Sequence, residues 1–143
     1  MFDFLKVEIA LLKKFDEIRA GVFTYNSKEY VGLTDGYICV CIPTVQCYLD
    51  ISKFKQADIQ TLIDSVNFSV YKPVILNDLC KRGIRRIVLR FDGAAEPIYI
   101  DERYLKIFSE CDLFGKDGKS ALIAKNDMGE TVGLIMPIRG EKW

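Results

Sequence analysis

Asp35-Gly36 lies between two apolar runs, Glu29–Leu33 and Tyr37–Ile42, and it constrains the fold more than any other feature of the sequence. Both turn residues tolerate positive φ, so the chain is expected to double back there as an antiparallel hairpin. A second polar break, Asn26-Ser27-Lys28, separates Val22–Tyr25 from Glu29–Leu33 in the same manner. Tyr37–Ile42 is apolar at almost every position and stops at Pro43, the pattern of a buried strand. Three strands in series are therefore predicted for the first third of the chain.

Helical periodicity flanks this unit. Phe4, Val7, Leu11, Phe15 and Ile18 recur at intervals of three and four, which predicts an amphipathic helix over Asp3–Arg19. Leu5, Ile9 and Leu12 are expected to widen its apolar stripe, and Gly21 to end it. A second helix is predicted over Ala57–Val66, where Ile59, Leu62, Ile63 and Val66 share one face. A third follows Asp101, whose side chain suits an N-cap, with Glu102 favouring the positive helix end and Tyr104, Leu105 and Phe108 forming the apolar face. Between and after these, Ile84–Phe91 alternates as a half-buried strand and Asp92-Gly93 turns the chain into Pro97–Ile100. Ser120–Lys125 and Thr131–Ile138 flank the turn Asn126-Asp127-Met128-Gly129. The fold class that follows is α+β, an antiparallel sheet with about three helices.

A chain of 143 residues fits one domain, 1–143, or two small halves of about 1–50 and 51–143 sharing one core. A faint repeat favours the second description. Leu12-Lys13-Lys14-Phe15 precedes Pro43 by 28 residues counted from Phe15, and Leu105-Lys106-Ile107-Phe108 precedes Pro137 by 29 counted from Phe108. Each interval reads as helix, strands, a turn with Asp and Gly, and an apolar strand ending in Pro. Two such halves would be related by a pseudo-twofold axis, with helices on one face of the sheet.

Composition narrows the function. The chain has no histidine, which removes His-based triads, His acid–base catalysis and most zinc hydrolases. Neither GxGxxG nor GxxxxGK[ST] occurs, and the Asp-Gly turns lack the further oxygen ligands of a calcium loop. The five cysteines include no CxxC pair, so buried thiols are expected rather than a metal site. No cofactor and no metal is expected, and a non-enzymatic role is. Met1–Lys14 lacks the plan of a signal peptide, and no apolar run reaches the roughly 18 residues of a membrane helix. A cytoplasmic protein without membrane contact is the expectation.

Three segments, Phe54–Val66, Pro73–Asn77 and Tyr104-Leu105 through Val132–Arg139, together resemble a bacterial sliding clamp of DNA replication, the polymerase III beta subunit family. Phe54–Val66 resembles the strand and helix that open a clamp domain, with the pattern A-D-L-x-x-L-I-x-x-V. Pro73-Val74-Ile75-Leu76-Asn77 is similar to the proline-led strand that follows there, although Asp78 stands where the family has glycine. Tyr104-Leu105 through Val132–Arg139 resembles the last clamp segment, which ends in Met-Pro and a basic residue. These segments cover about half the chain, and the family carries three domains where this chain has length for about one. The resemblance implies a duplicated, clamp-like fold of phage or mobile-element type. It further implies duplex DNA or a polymerase-type protein as partner, and assembly of several copies.

Cations are the candidate nucleic-acid contacts, because charge attraction can track phosphates without reading bases. Lys6, Lys13 and Lys14 lie on the first helix, where Glu8, Asp16 and Glu17 are expected to neutralise them. Lys81-Arg82-Gly83-Ile84-Arg85-Arg86 holds four positive charges without an acid, though strand alternation sends Arg85 and Arg86 to opposite faces. The formal net charge is zero, so DNA contact would need a local patch or several copies. The alternative reading is a phage or prophage structural or interaction protein that does not bind DNA.

Overall fold

The computed structural model describes residues 3–15, 17–66, 72–81, 86–91, 98–116 and 120–137. The turn at Asp92-Gly93 and the start of the strand at Ile84 lie outside these residues, as does Pro97. The architecture is α+β: the described residues form three α-helices and ten strands, with all but one of their strand pairs antiparallel.

Helix α1, Phe4–Lys14, starts where the Asp3 carboxylate accepts from the Lys6 amide at 3.2 Å. It ends five residues before the sequence pattern does, because Phe15 is already extended (φ −125°, ψ 133°). Phe15 turns its ring onto Tyr104, centroid to centroid 5.6 Å. Ile18 is thereby off the helix, and strand β1, Arg19–Tyr25, begins at once. Asn26 and Ser27 both take positive φ, 51° and 62°, the backbone of a two-residue hairpin turn whose twist matches the strands. Strand β2, Lys28–Thr34, follows, and then the Asp35 turn. There Asp35 Oδ1 accepts from the amides of Tyr37 (2.9 Å) and Ile38 (3.0 Å), while Gly36 sits at φ 99°. Strand β3, Ile38–Pro43, is buried at every position, as its unbroken apolar run requires.

Two short 3-10 turns lead to strand β4, Lys55–Gln56, and helix α2, Ile59–Asp64, capped by Asp58. Strands β5 (Lys72–Lys81), β6 (Arg86–Phe91) and β7 (Ile98–Asp101) form a second meander. Asp101 then caps helix α3, Glu102–Ile107, accepting from the Arg103 amide at 2.9 Å. Strands β8 (Asp112–Gly115), β9 (Leu122–Lys125) and β10 (Thr131–Ile135) complete the chain.

The hydrogen-bonded strand order is β4-β1-β2-β3-β10-β9-β8-β5-β6-β7. Among the described residues only β1 and β4 run parallel. Strands β3 and β10 form an interior antiparallel pair, with Val40 opposite Gly133 and Ile38 opposite Ile135. The segments α1-β1-β2-β3 and α3-β8-β9-β10 thus meet at the β3–β10 pair. In each, the phenylalanine singled out by the sequence repeat (Phe15, Phe108) occupies the residue after the helix and is buried.

Helices cover both faces, not one. Val7, Leu11 and Phe15 of the first unit pack with Tyr104, Ile107 and Phe108 of the second on one side of the sheet. Ile59 and Ile63 of α2 pack against Phe23, Cys39, Cys41 and Leu134 on the other. Glycines set how closely these helices approach. A Cβ at Gly133 would run into the Phe108 ring, and one at Gly32 would run into Ile59.

The free edge of β1 is closed by a side chain. Beyond the two residues paired with β4, Gln60 accepts from the Thr24 amide at 2.8 Å and donates to the Thr24 carbonyl at 3.1 Å. A carboxamide has the donor and acceptor of a peptide group, so Gln60 extends the ladder without a strand.

Candidate interaction site

The segment after β3, the β9–β10 turn and the N-terminal end of α1 converge on a cleft of about 160 Å³. Phe4, Tyr30, Pro43 and Val132 give it apolar walls, and Asp127, Met128 and Glu130 stand at its rim. The turn is fixed by Asn126, whose Oδ1 accepts from the amides of Met128 (3.0 Å) and Glu130 (2.9 Å). Burial, and then the charge of Glu130, push the Tyr30 hydroxyl above its usual pKa, so it faces the cleft as a neutral phenol. No Lys or Arg lines the cleft among the described residues. Small-molecule sites generally enclose roughly 300–1,000 Å³, so this space suits a single side chain rather than a cofactor.

Beside the cleft, α1 presents an apolar stripe to solvent. Leu5, Ile9 and Leu12 are 41%, 46% and 45% exposed, which corrects the expectation that they join the buried face. The sheet beneath α1 covers only the arc of Val7, Leu11 and Phe15, and at 100° per residue these three fall outside it. Val45 and Tyr48, in the segment that follows β3, are also largely exposed.

Glu8 reverses its expected role. It is 1% exposed and therefore neutralises nothing on the helix surface. Its Oε1 accepts from the Tyr48 amide at 3.2 Å, while Oε2 is buried without a hydrogen-bond partner among the described residues. Its position was readable, since Glu8 lies four residues after Phe4, three before Leu11 and seven before Phe15, on the apolar face. Glu17 lies beyond the end of α1, and Asp16 is outside the described residues. Among the described side chains, the outward charges of α1 are then Lys6 and Lys13, both exposed, with Asp3 at the cap.

Of the remaining sequence candidates, Lys81 and Arg86 are brought opposite one another. Arg82 and Arg85 lie outside the described residues. Lys81 ends β5 and pairs in register with Arg86 at the start of β6, and Lys14 is the last residue of α1; these three are placed by backbone alone. The α1 lysines stand on the helix that leads into β1, and five strands, β2, β3, β10, β9 and β8, lie between β1 and β5 in the sheet order.

Chemistry of other kinds finds little purchase. Cys39 and Cys41 are buried on β3, and Cys47 and Cys111 are half-buried. Burial raises the Cys47 thiol and pushes Cys111 up to about 12, while a hydrogen bond to Cys39 and burial raise Cys41, so at neutral pH these three are thiols rather than nucleophilic thiolates. Among the described residues no cluster of three or more His, Cys, Asp or Glu could hold a metal, and no helix is long and apolar enough to cross a membrane. No family model, curated protein or solved structure matches the chain.

Proposed function

We propose that this chain is a non-enzymatic binding module of clamp-like build that serves DNA metabolism by holding a replication-type protein partner or duplex DNA. The observation that carries the reading is the joining of α1-β1-β2-β3 to α3-β8-β9-β10 across the β3–β10 pair. Two helix-led, three-strand units side by side are what the resemblance of Phe54–Val66, Pro73–Asn77 and Tyr104–Arg139 to sliding clamps calls for. The surface best suited to contact is the outer face of α1 with the adjoining cleft, where apolar groups and charge lie together. A cytoplasmic setting goes with this reading, supported by thiols left free at Cys39, Cys41, Cys47 and Cys111.

Lys6 and Lys13 are the described cations best placed for phosphates, now that Glu8 is removed from the surface. Two lysines give a weak electrostatic footprint, and a neutral chain gains more by repeating it across copies. The test is fluorescence anisotropy with a duplex of about 20 base pairs, titrated from low to physiological salt. Affinity falling log-linearly with salt, and more steeply than in Lys6→Ala/Lys13→Ala, supports DNA contact. Absence of binding even at low salt removes the DNA half. It would favour the second reading, a phage-type structural or interaction protein, for which the exposed Leu5–Ile9–Leu12 stripe is the supporting observation.

A further inference from the structure

We infer that the cleft at the N-terminal end of α1 receives one basic side chain, lysine or arginine, from a protein partner. The inference rests on the reading of the chain as a binding module and names the chemistry of the partner it holds.

The walls and the rim suit the two parts of such a side chain. Lysine and arginine carry an apolar stem and a charged head, and they lie best where the stem meets hydrocarbon and the head stays at the water boundary. Here Phe4, Pro43 and Val132 supply the hydrocarbon. Asp127 and Glu130 supply the anions, and both are exposed. Tyr30 adds an acceptor. Its ring is engaged by Phe23, centroid to centroid 5.3 Å, and by Lys28 Nζ at 5.7 Å. Its hydroxyl, a neutral phenol beside the charge of Glu130, can accept from an ammonium or guanidinium.

The two acids are uncompensated. Neither Asp127 nor Glu130 forms an ion pair among the described residues, although Lys6 and Lys28 each lie two residues from a lining side chain. Glu130 Oε1 accepts from Asn126 Nδ2 at 3.3 Å, which leaves Oε2 for a partner. The turn that carries both acids is already fixed by Asn126, so its backbone needs no ordering when a partner arrives. At about 160 Å³ the cleft matches one such side chain. Duplex DNA is the poorer occupant here, because its phosphates would face the two carboxylates, whereas a basic protein segment meets complementary charge.

The test is a ¹⁵N–¹H correlation titration of the intact chain with blocked pentapeptides, alanines flanking a central lysine, arginine or norleucine. Norleucine has the lysine stem without the ammonium. Either basic peptide should shift the amides of Tyr30, Met128, Glu130 and Val132 saturably, with a dissociation constant on the order of 1 mM. Glu130→Gln and Asp127→Asn should each weaken binding about three-fold, the scale of an exposed ion pair, and together about ten-fold. Both positions are exposed, and circular dichroism checks that the fold survives. The norleucine peptide should bind the unaltered chain no better than the basic peptides bind the double variant. Equal affinity for norleucine and lysine overturns the inference, as do shifts confined to residues away from the cleft or no saturable shift at all. So does undiminished affinity in the double variant. A chain that fails these tests yet binds duplex DNA loses this partner and keeps the module reading. A chain that passes them and ignores DNA keeps this partner and loses only the DNA half of that reading.

Discussion

The Tyr104 hydroxyl donates to Asp35 Oδ2 at 2.9 Å, tying α3 to the β2–β3 turn across 69 residues of chain. Asp35 is engaged on both oxygens, since Oδ1 holds its own turn. Burial, then the hydrogen bond and charge of Asp35, hold the Tyr104 pKa well above its usual value. The folded state therefore keeps its proton where the unfolded chain begins to lose it. This contribution is intact below about pH 10 and is lost as pH rises further. Tyr104→Phe should lower stability by about 1–2 kcal/mol at neutral pH. Denaturant melts at pH 7 and pH 11 provide the check: the difference between wild type and variant must shrink at the higher pH. A constant difference would mean that the hydroxyl does not titrate with folding.

Gly133 is where the Phe108 ring lies against the central strand, with no room for a methyl group. Phe108 is fully buried and backed by the core, so it cannot swing away. Gly133→Ala should cost about 1–3 kcal/mol through overpacking. Phe108→Leu in the same chain should return part of that loss by making space. Thermal melts of the single and double variants measure the coupling, and simple additivity would show that the two positions do not meet.

Local features of this architecture were readable and long-range ones were not. The hairpins at Asn26-Ser27 and Asp35-Gly36 depend on the φ of two or three residues, which residue type reveals. The Asp101 cap is equally local. Periodicity placed Val7, Leu11 and Phe15 inward, but the width of the buried arc depends on how much sheet lies under α1, so Leu5, Ile9 and Leu12 were misassigned. Strand β8 escaped notice because Asp112–Gly115 is short and lies beside charged residues. The cleft had no sequence signal at all, since it brings Phe4 and Tyr30 to Val132 through strand pairings that no local pattern encodes.

Gln60 protects a strand edge that would otherwise present the Thr24 amide and carbonyl to other chains. Gln60→Ala removes both bonds while leaving α2 a good helix former. Stability should fall by about 1 kcal/mol. The more diagnostic readout is hydrogen exchange, which should speed up at Thr24 and not at Ala20, which pairs with Gln56 of β4 independently of Gln60. Uniform acceleration along β1 would point to general loosening instead. Slower aggregation of the variant on heating would count against the edge-protection role.

Glu8 is the one buried charged residue among those described, and half of its hydrogen-bonding capacity is unused. A buried carboxylate with an unsatisfied oxygen is costly, whereas a neutral amide of the same shape costs less. Glu8→Gln keeps an acceptor for the Tyr48 amide and should raise stability by about 1 kcal/mol, shifting the melting temperature by about 2–4 °C. Glu8→Ala should act oppositely, because it leaves the Tyr48 amide without its acceptor and opens a void beneath the segment after β3. Opposite signs for the two variants would establish that the carboxylate itself is the burden and the carbonyl-type acceptor the benefit. If Glu8→Gln destabilised as much as Glu8→Ala, the second oxygen must be held by a donor, for which the neighbouring Cys47 thiol is placed.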